Sequence, residues 1–226
     1  AKRVEQLQQE GKKGKNQSLP SITYDKKHAN DPFPLTQVQQ AYFLGRSGMF
    51  GLGGVSTHCY FELDGVDLRL FPMQQAWNRM IRQHGMMRCV IREDGTQQIL
   101  AQVPEYDFYI LHLEGLSEEE REVLLLEIRE SMAQQVMDTT TWPLFNVRVS
   151  VLPENHYRIH ISFDNLIFDG WSMFHLLDQW AKLYRNPEME CKEPEISFRD
   201  YVLGLEDIRK TEAYDRDREY WLERVP

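Results

Sequence analysis

The 226 residues are 42% hydrophobic and 12% aromatic, enough apolar material for one core, and the length allows one or two domains. A balance of 26 Lys plus Arg against 35 Asp plus Glu gives a net charge of −9, which argues against a nucleic-acid partner because phosphate contacts need a basic face. No run approaches the roughly 20 apolar residues of a membrane helix, and the polar start AKRVEQLQQEGKKGKNQ has no signal-peptide pattern, so the chain reads as cytoplasmic and membrane-free.

Residues 1–30 are polar and Lys-rich and read as a linker or interdomain tether, with room for one short helix from Val4 to Glu10. Globular sequence begins at Asp31-Pro32-Phe33-Pro34 and fills 31–226. Thr36 is the expected N-cap of a helix from Gln37 to Leu44 that stops at Gly45. Glycines 48, 51, 53 and 54 mark a loop. Val55 to Leu63 alternates as a strand ending in Asp64-Gly65, and Phe71, Trp77, Met80 and Ile81 form the apolar stripe of a helix over 71–83. Met87 to Arg92 and Gln97 to Val103 flank Glu93-Asp94-Gly95-Thr96, a hairpin signal. Phe108 to Leu113 is a further strand. Ser117 and Glu120 make a capping box for a helix reaching about Met137, with Val123, Leu124, Ile128 and Met132 on one face.

Strands Leu144–Leu152 and His156–Phe163 are joined at Pro153-Glu154-Asn155. A loop over Asp164–Gly170 leads into an amphipathic helix from Trp171 to Tyr184. After Asn186-Pro187 come one or two helices ending near Arg224, and the stop right after YWLERVP reads as a piece of something larger. Strands, helices and hairpins are mixed, so the fold class is α+β with a largely antiparallel sheet packed by helices.

Three stretches could carry chemistry. In Ile159 to Ser172 a strand runs into a tight loop with two carboxylates, Asp164 and Asp169, before a Gly and a helix start. Strand ends and helix N-termini often build sites; spacing alone favours Asp169 as a helix cap and Asp164 as an arginine's partner. In Pro32 to Arg46, Tyr42 and Arg46 share a face if the helix continues that far. In Met80 to Val90, His84 sits near a helix C-terminus, where a proton would be stabilised. No GxSxG, Walker, HExxH or GxGxxG motif occurs. Cys59, Cys89 and Cys191 form no CxxC pair, which indicates neither a disulfide framework nor zinc, and Cys59 and Cys89 read as buried in strands. His156 and His160 fall on one sheet face with no third ligand in view, a weak metal site; no metal is expected.

Together these stretches resemble, in order and spacing, the first motifs of the heterocyclization domains of nonribosomal peptide synthetases, in the condensation-domain superfamily. Phe33, Pro34, Leu35, Thr36, Gln39, Ala41, Tyr42, Gly45 and Arg46 follow the opening pattern FPLTxxQxAYxxGR. His84 to Arg88 resembles the second motif, RHxMLR, with Gln83 where Arg is usual and Met87 where Leu is usual. Asp164, Asp169 and Gly170 match DxxxxD, where ordinary condensation domains have HHxxxDG; Asp164 and Asn165 occupy the two His positions.

The resemblance implies a chloramphenicol-acetyltransferase-like fold of two lobes, of which this chain is the N-terminal one, with the C-terminal lobe as a missing partner. It implies that upstream and downstream peptidyl carrier proteins present an acyl or peptidyl thioester and a Cys, Ser or Thr on phosphopantetheine arms. Condensation and cyclodehydration then give a thiazoline or oxazoline, with no cofactor bound directly and the isolated lobe inactive. Asp164 and Asp169 are the candidate catalytic residues, although both also suit structural roles, Asp169 as an ion-pair holder and Asp164 as a site-shaping group. Tyr42, Arg46, Asn165, His84 and Arg88 are candidates for the substrate tunnel or interlobe wall. The rival readings are an ordinary condensation lobe and a non-catalytic platform for carrier proteins.

Overall fold

Alternating apolar residues put β6 (Phe145–Leu152) and β7 (His156–Asp164) at the centre of a four-stranded sheet, in the computed structural model that describes residues 22–46, 54–191 and 194–225. The expected helix at Val4–Glu10 and glycines 48, 51 and 53 lie outside the described residues. The order is β2 (His58–Val66), β7, β6, β5 (Tyr109–His112), antiparallel except for β5 beside β6. That parallel pair follows from α3 (Glu118–Ala133), which crosses between the two strands as parallel pairing requires. A second sheet, β1 (Phe33–Pro34), β4 (Thr96–Ile99) and β3 (Cys89–Ile91), is antiparallel. The α+β expectation holds.

Residues Ile159, Ile161 and Phe163 of β7 enter the main core. Against them lie α2 (Leu70–Gln83) and α4 (Gly170–Arg185), which also pack on each other. On α2, Met73, Ala76, Trp77, Met80 and Ile81 are buried at the spacing of one helical face. Trp77 sits at the centre, its ring within 4.9 to 6.4 Å of Trp180, Phe145, Phe163 and Phe108. Phe71, expected in the stripe, is 71% exposed because it falls two residues before Met73 and off that face. Two further helices, α5 (Phe198–Ile208) and α6 (Glu212–Leu222), end the described chain, and α5 closes the second sheet through Phe33, Ile99 and Val202. Residues 22–30, the described end of the expected tether, are tied to the lobe: Asn30 Nδ2 donates to the Ile99 carbonyl at 2.8 Å and the Asp25 amide to Asp200 at 3.2 Å.

Several boundaries differ from the sequence reading for local reasons. The first helix, α1, runs Gln37–Arg46, through Gly45, because the Arg46 side chain is anchored on Asp164. The first strand of the hairpin starts only at Cys89; Gly85–Arg88 is a 3-10 turn fixed by Arg88, which donates to the Ile81, Arg82 and Leu100 carbonyls. Strand β4 ends at Ile99, where its pairing with β3 ends, and β2 begins at His58 and runs on through Asp64-Gly65 to Val66, paired with β7 throughout. The capping box at Ser117 forms as expected, while α3 ends at Ala133 and leaves Val123 56% exposed. Cys89 is buried and Cys59 half-buried, both unpaired in strands.

The second face of β7 is also buried, under α3, and it is polar. His160 is fully buried. Its Nε2 lies 3.0 Å from Ser150 Oγ and its Nδ1 2.7 Å from the Tyr60 hydroxyl. That hydroxyl donates to Glu62 at 2.8 Å, and Arg129 of α3 grips Glu62 with two bonds of 2.7 Å. Both ring nitrogens are thus used by a neutral imidazole, and burial pushes its pKa from 6.5 down to about 4. The unfolded chain therefore takes up this proton first as the pH falls. The contribution of His160 is complete above pH 6.5 and declines toward pH 4, by at most about 1.4 kcal/mol per pH unit. Urea unfolding at pH 7 and pH 5 checks this: His160→Gln flattens the loss seen in the unaltered chain, and an unchanged slope contradicts it.

Candidate active site

Asp164 ends β7 and is 1% exposed. One carboxylate oxygen accepts from Arg46 Nη2 at 2.6 Å and from Ser56 Oγ at 3.2 Å; the other accepts from the Leu166 amide at 2.9 Å. Arg46 also reaches Ser56 Oγ at 3.0 Å and the Met137 carbonyl at 3.4 Å. The ion pair is sealed from solvent, with side chains 8% and 1% exposed. Asp164 is therefore a loop-fixing group, both of whose carboxylate oxygens already accept hydrogen bonds.

Asp169 behaves differently. Its side chain accepts from the Ser172 amide at 2.8 Å and caps α4. Hydrogen bonding from Ser172 holds its carboxyl below the usual carboxylate range. Among the described residues it caps a helix rather than holding an ion pair, so the two carboxylates take the structural roles that spacing allowed them, cap and arginine partner. The ion pair expected for Asp169 is made, among the described residues, by Asp164. The reason is placement: Asp169 sits exposed at the helix mouth, and Asp164 lies beneath α1.

Beside this loop opens a cleft of about 1440 Å³ whose lining includes Tyr42, His84, Arg88, Asn165 and Asp169. Arg46 and Asp164 lie behind its wall. Asn165 donates its backbone amide to the Thr57 carbonyl at 3.0 Å, and its Oδ1 is buried without a partner among the described residues. His84 Nε2 is 2.6 Å from Gln179 Oε1 on α4. Burial pushes the His84 pKa down, with only Gln179 opposing, so this imidazole is neutral near pH 7 and holds no extra proton at the helix end. Arg88, with its three backbone carbonyls, ties α2 to β4. The five cleft residues thus come together, while His84 and Arg88 are largely engaged in holding elements in place.

Sequence reasoning missed Ser56 and Gln97, and named Gln39 only as a motif position with no role. Gln39 shares a face with Tyr42 and Arg46, at helical spacings of three and seven. A buried Gln on that face, and a Gln alternating inward with Ile99 in β4, are the signals that could have found the pair.

The condensation-domain family model matches residues 29–226. The chain belongs to the condensation-domain family. It is 36% identical over 212 residues to bacitracin synthase 1 of Bacillus licheniformis, covering 93% of this chain and 4% of that protein. It is 34% identical over 203 residues to phenyloxazoline synthase MbtB of Mycolicibacterium paratuberculosis, covering 87% of this chain and 17% of that one. The EpoB cyclization-docking bidomain of a nonribosomal peptide synthetase from Sorangium cellulosum superposes with a TM-score of 0.87 at 34% identity, over 98% of this chain and 44% of that one. The chain thus spans a small part of its curated relatives and less than half of that bidomain. Its fold is the chloramphenicol-acetyltransferase-like one, and this condensation lobe corresponds to the N-terminal lobe.

Proposed function

We propose that this condensation lobe serves a heterocyclization domain. In this reading the domain joins a carrier-bound acyl or peptidyl thioester to carrier-bound Cys, Ser or Thr and cyclodehydrates the product to a thiazoline or oxazoline. The observation that carries the reading is the loop itself. Where ordinary condensation domains have two histidines, Asp164 is locked to Arg46 and Asn165 lines the cleft, so no imidazole stands at either position. The likeness to a phenyloxazoline synthase and to a cyclization bidomain supports the same choice over plain condensation. The carrier proteins, their phosphopantetheine arms, a second lobe and a cytoplasmic setting belong to this reading; among the described residues no helix is long and apolar enough to cross a membrane.

The residues divide the work as follows. Asp164 and Arg46 fix the loop without touching substrate. Asp169, an anion with a depressed pKa, is a poor base; it favours positive charge on the acceptor amine as that amine attacks the thioester. Asn165, its backbone amide held by Thr57, offers its side-chain carboxamide N–H to the new carbonyl. Tyr42 walls the cleft, and holding two tethered substrates there supplies proximity of several kcal/mol, roughly.

Asp169→Asn tests the charge, since Asn caps helices about as well as Asp. The unfolding free energy is expected to stay within about 0.5 kcal/mol. The yield of carrier-bound product short of one water, read by mass spectrometry in a chain carrying both lobes, is expected to fall roughly tenfold or more. An unchanged yield would remove Asp169 from the machinery.

A further inference from the structure

At the cleft two buried glutamines face each other, Gln39 in its lining and Gln97 behind it. Gln39 of α1 is 6% exposed and Gln97 of β4 fully buried. Gln39 Nε2 donates to Gln97 Oε1 at 2.8 Å, and Gln97 Nε2 donates back to Gln39 Oε1 at 2.9 Å, closing a ring of two carboxamides. Each nitrogen has one further hydrogen, and each uses it on a backbone carbonyl: Gln39 on Leu166 at 2.7 Å, Gln97 on Pro34 at 2.9 Å. Thr36 fixes which end of Gln39 is oxygen, because its amide donates to Oε1 at 2.9 Å. All four N–H groups of the pair are satisfied, a condition that makes a buried polar network rigid rather than costly.

Leu166 lies in the middle of the loop between the two carboxylates. Its amide is held by Asp164 and its carbonyl by Gln39, so both sides of the residue are fixed. Gln39 and Arg46 are two turns apart on one face of α1, which grips the loop at two points. Gln97 adds a third element: through it the hairpin sheet and the Pro34 entry are tied to the same loop.

We propose that Gln39 and Gln97 form a positioning clasp that sets the Asp164–Asp169 loop, and with it Asn165 and Asp169, against the substrate cleft. Gln97 then couples the β3–β4 hairpin to the chemistry without touching substrate. The catalytic consequence rests on the heterocyclization reading; the clasp itself does not, and the two are measured separately.

The clasp is read by amide hydrogen exchange on this chain. Gln97→Met and Gln39→Met are each expected to speed exchange at Leu166 and Ile167 roughly tenfold, the effect of an orphaned buried partner, with β6 unchanged. The Gln39→Met/Gln97→Met double variant is expected to exchange no faster than Gln39→Met alone. Additive effects, or loop exchange that does not change, overturn the clasp. Should a variant fold poorly, the unaltered chain still decides. In rising urea its Leu166 and Ile167 amides are expected to open together with those of β3 and β4, and separate opening overturns the proposal.

In a chain carrying both lobes, Gln97→Met is expected to lower kcat for the cyclised product roughly tenfold, matching the exchange effect, while KM for the acceptor carrier stays within about twofold. A proportional loss through unfolded protein alone would leave kcat per folded molecule unchanged and overturn the positioning role. Water-retaining product from the unaltered protein would sink the heterocyclization reading and leave the exchange result standing.

Discussion

Replacing Arg46 with Met is expected to lower the unfolding free energy by about 3–5 kcal/mol, because it strands the Asp164 carboxylate in a site that is 1% exposed. The Ser56 hydroxyl and the Leu166 amide remain as partners, but neither carries charge. The comparison that isolates the pair is Arg46→Met/Asp164→Leu, in which both charges go together. Such double replacements are often near neutral in stability, so the double variant is expected to recover most of the loss in urea unfolding. It is not expected to recover product formation, since the Leu166 amide loses its acceptor and the loop its anchor. If Arg46→Met unfolds like the unaltered chain, the buried pair is not what holds the loop.

The second large effect is expected in the main core. Trp77→Ala removes a fully buried side chain at the meeting point of α2, α4, β6 and β7, where its ring touches four other aromatics. Large-to-small changes of this kind cost about 3–5 kcal/mol, since the neighbours only partly collapse into the space. At the low end of a typical total stability of roughly 5–15 kcal/mol, that leaves a sizeable unfolded fraction at 37 °C; at the high end it shifts the midpoint. Circular dichroism during urea titration reads the shift. Trp77→Phe is expected to cost far less: it keeps most of the ring contacts and removes an indole N–H that has no partner among the described residues. A loss below about 1 kcal/mol for Trp77→Ala would mean that the core is organised elsewhere.

How far the sequence could be read depended on the range of the contacts. The strands around Pro153-Glu154-Asn155, the capping box at Ser117 and Glu120, and the amphipathic helix after Gly170 depend on residues within a few positions, and they stand where the periodicity placed them. The opening motif named the residues that matter but not their work. Arg46 and Asp164 are 118 positions apart, and nothing in either stretch shows that they meet. Spacing allowed Asp169 as a cap and Asp164 as an arginine's partner, but only the placement of β7 beneath α1 names Arg46 as that arginine and buries the pair. The Gln39–Gln97 ring spans 58 residues and joins a motif position to a hairpin that carries no motif, so local patterns could not reveal it. Phe71 and Val123 were misplaced for a smaller reason: each is apolar and near a buried stripe, and each falls off the face that the neighbouring element covers.

The most direct test of the account is the mass of the product on the downstream carrier. Loaded donor and acceptor carriers are mixed with this lobe alone and with the lobe joined to its C-terminal partner lobe, and the acceptor carrier is weighed intact. Condensed product short of one water, formed only when both lobes are present, is the expected result. Condensed product that keeps its water, over Cys, Ser and Thr acceptors alike, would contradict it and assign the lobe to ordinary condensation; no product from folded two-lobe protein would make it a carrier-protein platform.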